Sequence, residues 1–190
     1  MFPKSRVMYV KRRVAEERLG AFGEAIFAAV IELKLGWSPL GNGRLDDSGI
    51  DRQFRLYNAS IDTQVRTSTI GSRSAWCFNV FKEGKELNRE LYSQPSFFLV
   101  LIGLHCRKDG WRRYPDPSII KKTILVVSGE KVIEHLEGKK GHSLTIYVGK
   151  FERGEYEWLK GADDFEAIFK AEYKRQTGKD MPTEDLIEQC

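Results

Sequence analysis

Residues 97–106, FFLVLIGLHC, restrict the fold more than any other part of the chain. A strand with one wet face alternates apolar and polar residues, and this run does not. It reads as a central strand covered on both faces. Covering both faces of a sheet needs further layers of structure, so the run implies an α/β or α+β sheet with helices packed on it. The chain has 190 residues, 41% of them hydrophobic, enough for one domain with a sizeable core.

The flanking segments supply those layers. Residues 14–35 repeat Leu19, Phe22, Ile26, Ala29, Val30 and Leu33 at helical spacing. The opposite side of this helix is also apolar (Ala21, Phe27, Ala28, Ile31, Leu35), so the helix is expected to be buried, with Gly36 as its stop. Residues 37–40 read as a short strand and 41–49 as a loop. Residues 50–57 and 61–68 read as strands joined by the short link Asn58–Ser60, an antiparallel hairpin. Residues 75–81 read as a strand and 83–93 as a short helix ending before Pro95. Further strands are expected at 123–127 and 144–148. A last helix is expected to be capped by Asp163, with Phe165, Ile168, Phe169 and Tyr173 on one face. The expected core spans about 14–150, followed by a helical, acidic segment over 151–190.

Several chemistries lack their signatures. No apolar run reaches the roughly 20 residues of a membrane-spanning helix. The N-terminus has no uninterrupted apolar stretch of the signal-peptide kind, so a cytoplasmic protein that does not enter a membrane is expected. Cys77, Cys106 and Cys190 lack the spacing of a zinc site or a disulfide framework. No phosphate-binding glycine motif, GxSxG or HExxH is present. His105, His135 and His142 are scattered, and His105 and Cys106, as strand neighbours, point to opposite faces.

The net charge of +4 conceals an asymmetry. Residues 1–150 carry 25 Lys and Arg against 16 Asp and Glu, a charge of +9; residues 151–190 carry 6 against 11, a charge of −5. A basic body suits a polyanion, although ordinary solvated surface charge accounts for the same count.

Three features within the first 70 residues carry chemistry. Glu24 is the only charged residue between Arg18 and Glu32 on the first helix, and a buried carboxylate there needs a cation or an ion-pair partner. The run Asp46-Asp47-Ser48-Gly49-Ile50-Asp51 turns sharply at Gly49 and places Asp51 at the start of a strand. In the strand Ile61-Asp62-Thr63-Gln64-Val65-Arg66-Thr67-Ser68, alternation puts Asp62, Gln64, Arg66 and Ser68 on one face and Ile61 and Val65 on the other.

Together, GxxGEA on the first helix, DDSGID and then a strand reading QVRTS resemble the PD-(D/E)XK, restriction-endonuclease-like nuclease superfamily. The similarity is to its branch with a Gln-x-Lys second motif, and it covers about residues 14–106. It implies an α/β fold with an αβββαβ core, a mixed central sheet flanked by helices. It also implies Mg²⁺ or Mn²⁺ held by Asp51, by Gln64 beside the Val65 carbonyl, and by Glu24. Mg²⁺ takes oxygen ligands, keeps several waters and binds through one or two carboxylates plus a substrate phosphate. It then polarises the phosphoryl oxygen and lowers the pKa of bound water. The departure from the family is Arg66, where the family has lysine. Arginine stays charged and cannot act as a general base. It can orient water, stabilise phosphoryl charge or clamp a phosphate with two hydrogen bonds.

The resemblance implies a metal-dependent nuclease acting on DNA rather than RNA, in phage defence or DNA processing, with Asp51, Gln64, Arg66 and Glu24 catalytic. Arg73, Arg112, Arg113, Lys121 and Lys122 are candidate backbone contacts, with Arg12, Arg13, Arg107 and Lys108 as further basic residues. Trp111 and Tyr114 interleave with them as stacking groups. The alternative is a catalytically decayed fold that binds nucleic acid or a partner protein. A third expectation is an interaction subunit docking through 151–190. Related nucleases often work as dimers, and a homodimer rests on that resemblance alone.

Overall fold

The computed structural model describes residues 16–30, 38–39, 50–56, 58–80, 86–107, 110–113, 120–137 and 143–181. The loop expected at 41–49, the helix stop at Gly36, and Arg12, Arg13, Lys108, Tyr114 and His142 lie outside these residues.

The architecture is a mixed α/β fold with a mixed sheet flanked by helices. Helix α1 covers 16–30. Strands β1 (Ser38–Pro39), β2 (Arg52–Leu56) and β3 (Ala59–Ile70) follow. Next come β4 (Ala75–Asn79), the single-turn helix α2 (Arg89–Tyr92) and β5 (Phe97–Arg107). The chain continues through β6 (Lys122–Ser128), α3 (Gly129–Leu136), β7 (Ser143–Tyr147) and α4 (Val148–Glu152). Strand β8 (Lys160–Gly161) and helix α5 (Phe165–Thr177) close the described fold.

The main sheet runs β1-β2-β3-β5-β6-β8, with β3 and β5 parallel and the other neighbours antiparallel. The β2–β3 hairpin is tight, with Leu56 opposite Ala59. Strand β5 lies inside the sheet and is buried from Phe97 to Leu104. Its two faces serve different layers. Phe98, Val100, Ile102 and Leu104 join Ile26 and Phe27 of α1 and Phe165, Phe169 and Tyr173 of α5. Phe97, Leu99 and Leu101 join Leu91 and Tyr92 of α2, Val132 and Leu136 of α3, and Trp76, Phe78, Leu144 and Ile146 of a separate β4–β7 pair. The apolar run is thus covered on both faces, as its composition requires.

Four expectations change. Helix α1 buries Gly23, Ile26 and Phe27 and packs Leu19, Phe22 and Val30, partly buried, on the same core, while Ala21, Ala25 and Ala29 are exposed. Alanine is apolar but small, and leaving it in water forfeits little. The helix expected at 83–93 shrinks to Arg89–Tyr92 in the described residues. Asn88 sets its start, because the side chain accepts a hydrogen bond from Leu91 N at 3.1 Å. Asp163 does not cap the last helix; it lies in a 3₁₀ turn, Ala162–Asp164, and α5 begins at Phe165. Finally, the core does not end near residue 150, because α5 belongs to it.

Helix α5 is also tied to the hairpin by hydrogen bonds. Gln176 accepts from Ser60 N at 2.9 Å and donates to Ser60 O at 2.7 Å, so one amide side chain answers both backbone groups of a β3 residue that precedes the pairing with β5. Glu172 is buried, accepts from Arg175 Nε at 2.7 Å and accepts from Gln176 Nε2 at 2.6 Å. The acidic segment is therefore not an appendage that can be removed from an intact body, and deleting it would open one face of the core.

Candidate active site

The site forms just ahead of the start of β2, where β3 runs on past their pairing. Arg52, the first residue of β2, makes the outermost pair with β3, opposite Thr63. Asp51 N still donates to Thr63 O at 2.9 Å. Past this point the Val65 N–H and C=O face the side that β2 no longer covers, because both groups of one strand residue point the same way. Asp51 Oδ2 accepts from Val65 N at 2.8 Å. Arg66 Nη1 donates to Asp51 Oδ2 at 2.9 Å and to Val65 O at 3.0 Å. A ring of hydrogen bonds closes through one carboxylate, one guanidinium and the two backbone groups of Val65, and side chains stand in for the missing strand.

Gln64 shares a face with Arg66 but sits deeper, 5% exposed. Its Oε1 accepts a short hydrogen bond from the Tyr92 hydroxyl, which also lies 3.5 Å from Val80 O. Burial pushes the Tyr92 hydroxyl far above its ordinary value, with Arg66 opposing and Asp51 adding to the rise. The phenol therefore stays protonated and acts as a donor. Tyr92 is the site residue that the sequence did not reveal. It lies 28 positions from Gln64, on a helix of one turn, with no spacing rule to connect them. Tyr92→Phe removes one donor to the buried Gln64 oxygen and should cost about 0.5–1.5 kcal/mol, read as a lower urea midpoint. An unchanged midpoint would show that this contact contributes nothing.

The two glycine-bearing motifs meet. Gly23 of GxxGEA packs on Thr67 of QVRTS so closely that a Cβ would lie 1.7 Å from Thr67 Oγ1. Helix α1 thus crosses β3 one residue past Arg66, carrying the half-buried Glu24 with it. The helix lies on the Val65 and Ile61 face of the sheet, opposite the face of Gln64 and Arg66.

The basic residues gather at one end of the sheet. Ile70 at the end of β3 is in register with Arg107 at the end of β5, and Arg73 sits in the turn that follows β3. Leu104 pairs with Lys122, and His105 N donates to Lys121 O at 2.9 Å, so the start of β6 lies at the same end. The 3₁₀ turn Gly110–Arg113 packs on β5 there, with Gly110 against Cys106. Arg73, Arg107, Arg112 and Lys121 are exposed and Lys122 is half-buried. Arg113 belongs to this turn; its side chain and that of Trp111 lie outside what the structure describes. Arg66 is four residues before Ile70, about 13 Å along the strand at the usual rise.

His105 and His135 are engaged elsewhere. His105 is hydrogen-bonded to Thr123 Oγ1 at 2.8 Å and lies edge-on to Trp76, while Cys106 packs into the core on the other face. Burial, reinforced by Lys121, holds its pKa below the ordinary value. His135 lies against Trp158 with ring centroids 4.4 Å apart.

A divalent cation fits this arrangement in one respect. Asp51 Oδ2 and Val65 O already converge on one positively charged atom, Arg66 Nη1, which stands in for a cation. Among the described residues no three His, Cys, Asp or Glu side chains converge as a metal site. A cation held by Asp51 and the Val65 carbonyl would complete its shell with water and phosphate, as Mg²⁺ commonly does. No helix among the described residues is long and apolar enough to cross a membrane.

No family model, no curated protein and no solved structure matches this chain.

Proposed function

We propose that this chain is a nuclease of restriction-endonuclease-like architecture that hydrolyses phosphodiester bonds in DNA with Mg²⁺ or Mn²⁺. The convergence of Asp51, the Val65 carbonyl and Arg66 at the point where β3 runs on past its pairing with β2 carries the proposal. The order α1, β1, β2, β3, β4, α2, β5, in which β4 belongs to a second sheet, supports it, because it is compatible with the αβββαβ order that the resemblance implies.

Each group has a role. Asp51 and the Val65 carbonyl would hold the cation, which polarises the phosphoryl oxygen and lowers the pKa of a bound water. Gln64 lines the site from below, fixed by Tyr92. Arg66 neutralises charge on the attacked phosphate. Glu24, next to the Gly23–Thr67 contact, is the further carboxylate that the resemblance offers to the cation. Arg73, Arg107, Arg112, Lys121 and Lys122 form a rim for a nucleic-acid backbone, so binding should weaken steeply with salt.

The test is incubation with plasmid, linear duplex and single-stranded DNA in Mg²⁺ or Mn²⁺. Cutting of at least one substrate, abolished by EDTA, is expected; if none is cut, the nuclease assignment fails. A non-cleaving nucleic-acid-binding domain is the second reading. It is favoured by the guanidinium that already occupies the two oxygens a cation needs. Arg66→Lys separates the two: a large gain in cleavage marks a decayed site, and a loss marks an adapted arginine.

A further inference from the structure

Among the described residues, Arg66 is held by one of its three nitrogens. Nη1 makes both hydrogen bonds, to Asp51 Oδ2 and Val65 O. Nε and Nη2 make none among the described residues, and the side chain is 29% exposed. These two nitrogens form the guanidinium edge whose parallel N–H groups match two oxygens of a phosphate. A guanidinium also keeps its charge at any working pH, so the positive charge between Asp51 and Val65 O is permanent in the free protein. Asp51 cannot follow Arg66 outward, because Val65 N holds the same carboxylate oxygen at 2.8 Å. Arg66, on a long flexible stem, is the member of the ring that moves.

We infer that Arg66 is a phosphodiester clamp whose Nη1 keeps the cation position filled, so that nucleic acid binds this site without divalent metal and the metal follows the phosphate. The inference rests on the nuclease reading and adds an order of binding to it. A phosphate on the Nε–Nη2 edge balances the guanidinium charge and loosens its hold on Asp51. Asp51 Oδ2 and Val65 O then lose the Arg66 contact beside new phosphate oxygens, and that set of oxygens suits a hydrated divalent cation. Without nucleic acid, a metal has to displace a guanidinium from its carboxylate, and like charges at this separation oppose each other.

Two measurements on the full chain test it. The first is fluorescence anisotropy of labelled duplex and single-stranded oligonucleotides in EDTA. Wild type should bind, and Arg66→Met should bind at least about tenfold more weakly, the loss of one charge-assisted bidentate contact. The second is Mn²⁺ binding to nucleic-acid-free protein, followed by the electron paramagnetic resonance of unbound Mn²⁺. Arg66→Met should bind Mn²⁺ at least about tenfold more tightly than wild type, and adding Asp51→Asn should remove the gain. Equal Mn²⁺ affinity in wild type and Arg66→Met overturns the inference, and so does oligonucleotide binding that appears only with Mn²⁺; the latter leaves the nuclease reading standing. If no form binds oligonucleotide with or without Mn²⁺ while the Mn²⁺ gain persists, the nuclease reading falls and phosphodiester is overturned as the ligand. Arg66→Lys controls for folding, since it keeps the charge and loses the two-nitrogen edge; it should lie between wild type and Arg66→Met in both assays.

Discussion

Asp51→Asn should reduce metal-dependent cleavage by at least about 100-fold while leaving the protein folded. The substitution is nearly isosteric. The asparagine oxygen can still accept from Val65 N, which Asp51 now holds at 2.8 Å. What disappears is the negative charge that the resemblance assigns to the cation and that the structure shows engaged with Arg66. The Asp51–Arg66 ion pair is about a quarter exposed on each side, at 26% and 29%, so its loss should change stability by no more than about 1 kcal/mol. Large loss of cleavage with a nearly unchanged urea midpoint therefore distinguishes a chemical role from a structural one. A variant that cuts within a few-fold of wild type would remove Asp51 from the mechanism.

The largest effect on stability is expected at Gly103. Its missing side chain leaves room for Trp76: a Cβ there would lie 2.4 Å from the indole Cε2 and 2.5 Å from Cδ2. The indole has nowhere to retreat. It is fully buried, donates from Nε1 to Leu104 O at 3.1 Å, and packs edge-on against His105 and Phe151. The strand cannot move either, because β3 and β6 pair with it on both sides. Gly103→Ala should cost about 3 kcal/mol, measured by urea unfolding. Trp76→Leu, destabilising alone, should make Gly103→Ala much cheaper, a coupling of about 1–3 kcal/mol across the pair. Additive effects would show that the close approach is relieved by some other movement.

The same position shows how far a linear reading reaches. In the sequence, Gly103 is one small residue in an apolar run, with nothing to mark it as a contact. The indole that demands it comes from a strand 27 positions earlier, in another sheet. Gly23 is similar: the motif GxxGEA makes it conspicuous, but only packing against Thr67 explains why a side chain would not fit there. Helix α4, five residues with none buried, has no period to read in the sequence, whereas α3 carries its signal in Val132, Ile133 and Leu136 on one face. Their places are set by contacts such as Gly129, where a Cβ would lie 2.1 Å from Tyr92 O.

The sequence by itself determined that the 97–106 strand must be covered on both faces. It also determined that Gln64 and Arg66 share a face, since alternation along a strand needs no partner. It placed Asp51 at a strand start and divided the charge between a basic body and an acidic end. Only the tertiary structure decided that the β2–β3 pairing stops at Thr63, exposing the Val65 backbone groups for Asp51 and Arg66 to satisfy. It alone put Tyr92 on Gln64, gathered five basic residues at one end of the sheet, and drew α5 into the core. Local pattern follows from covalent geometry and side-chain type. Which distant groups meet follows from strand register and from the requirement that buried polar groups find partners.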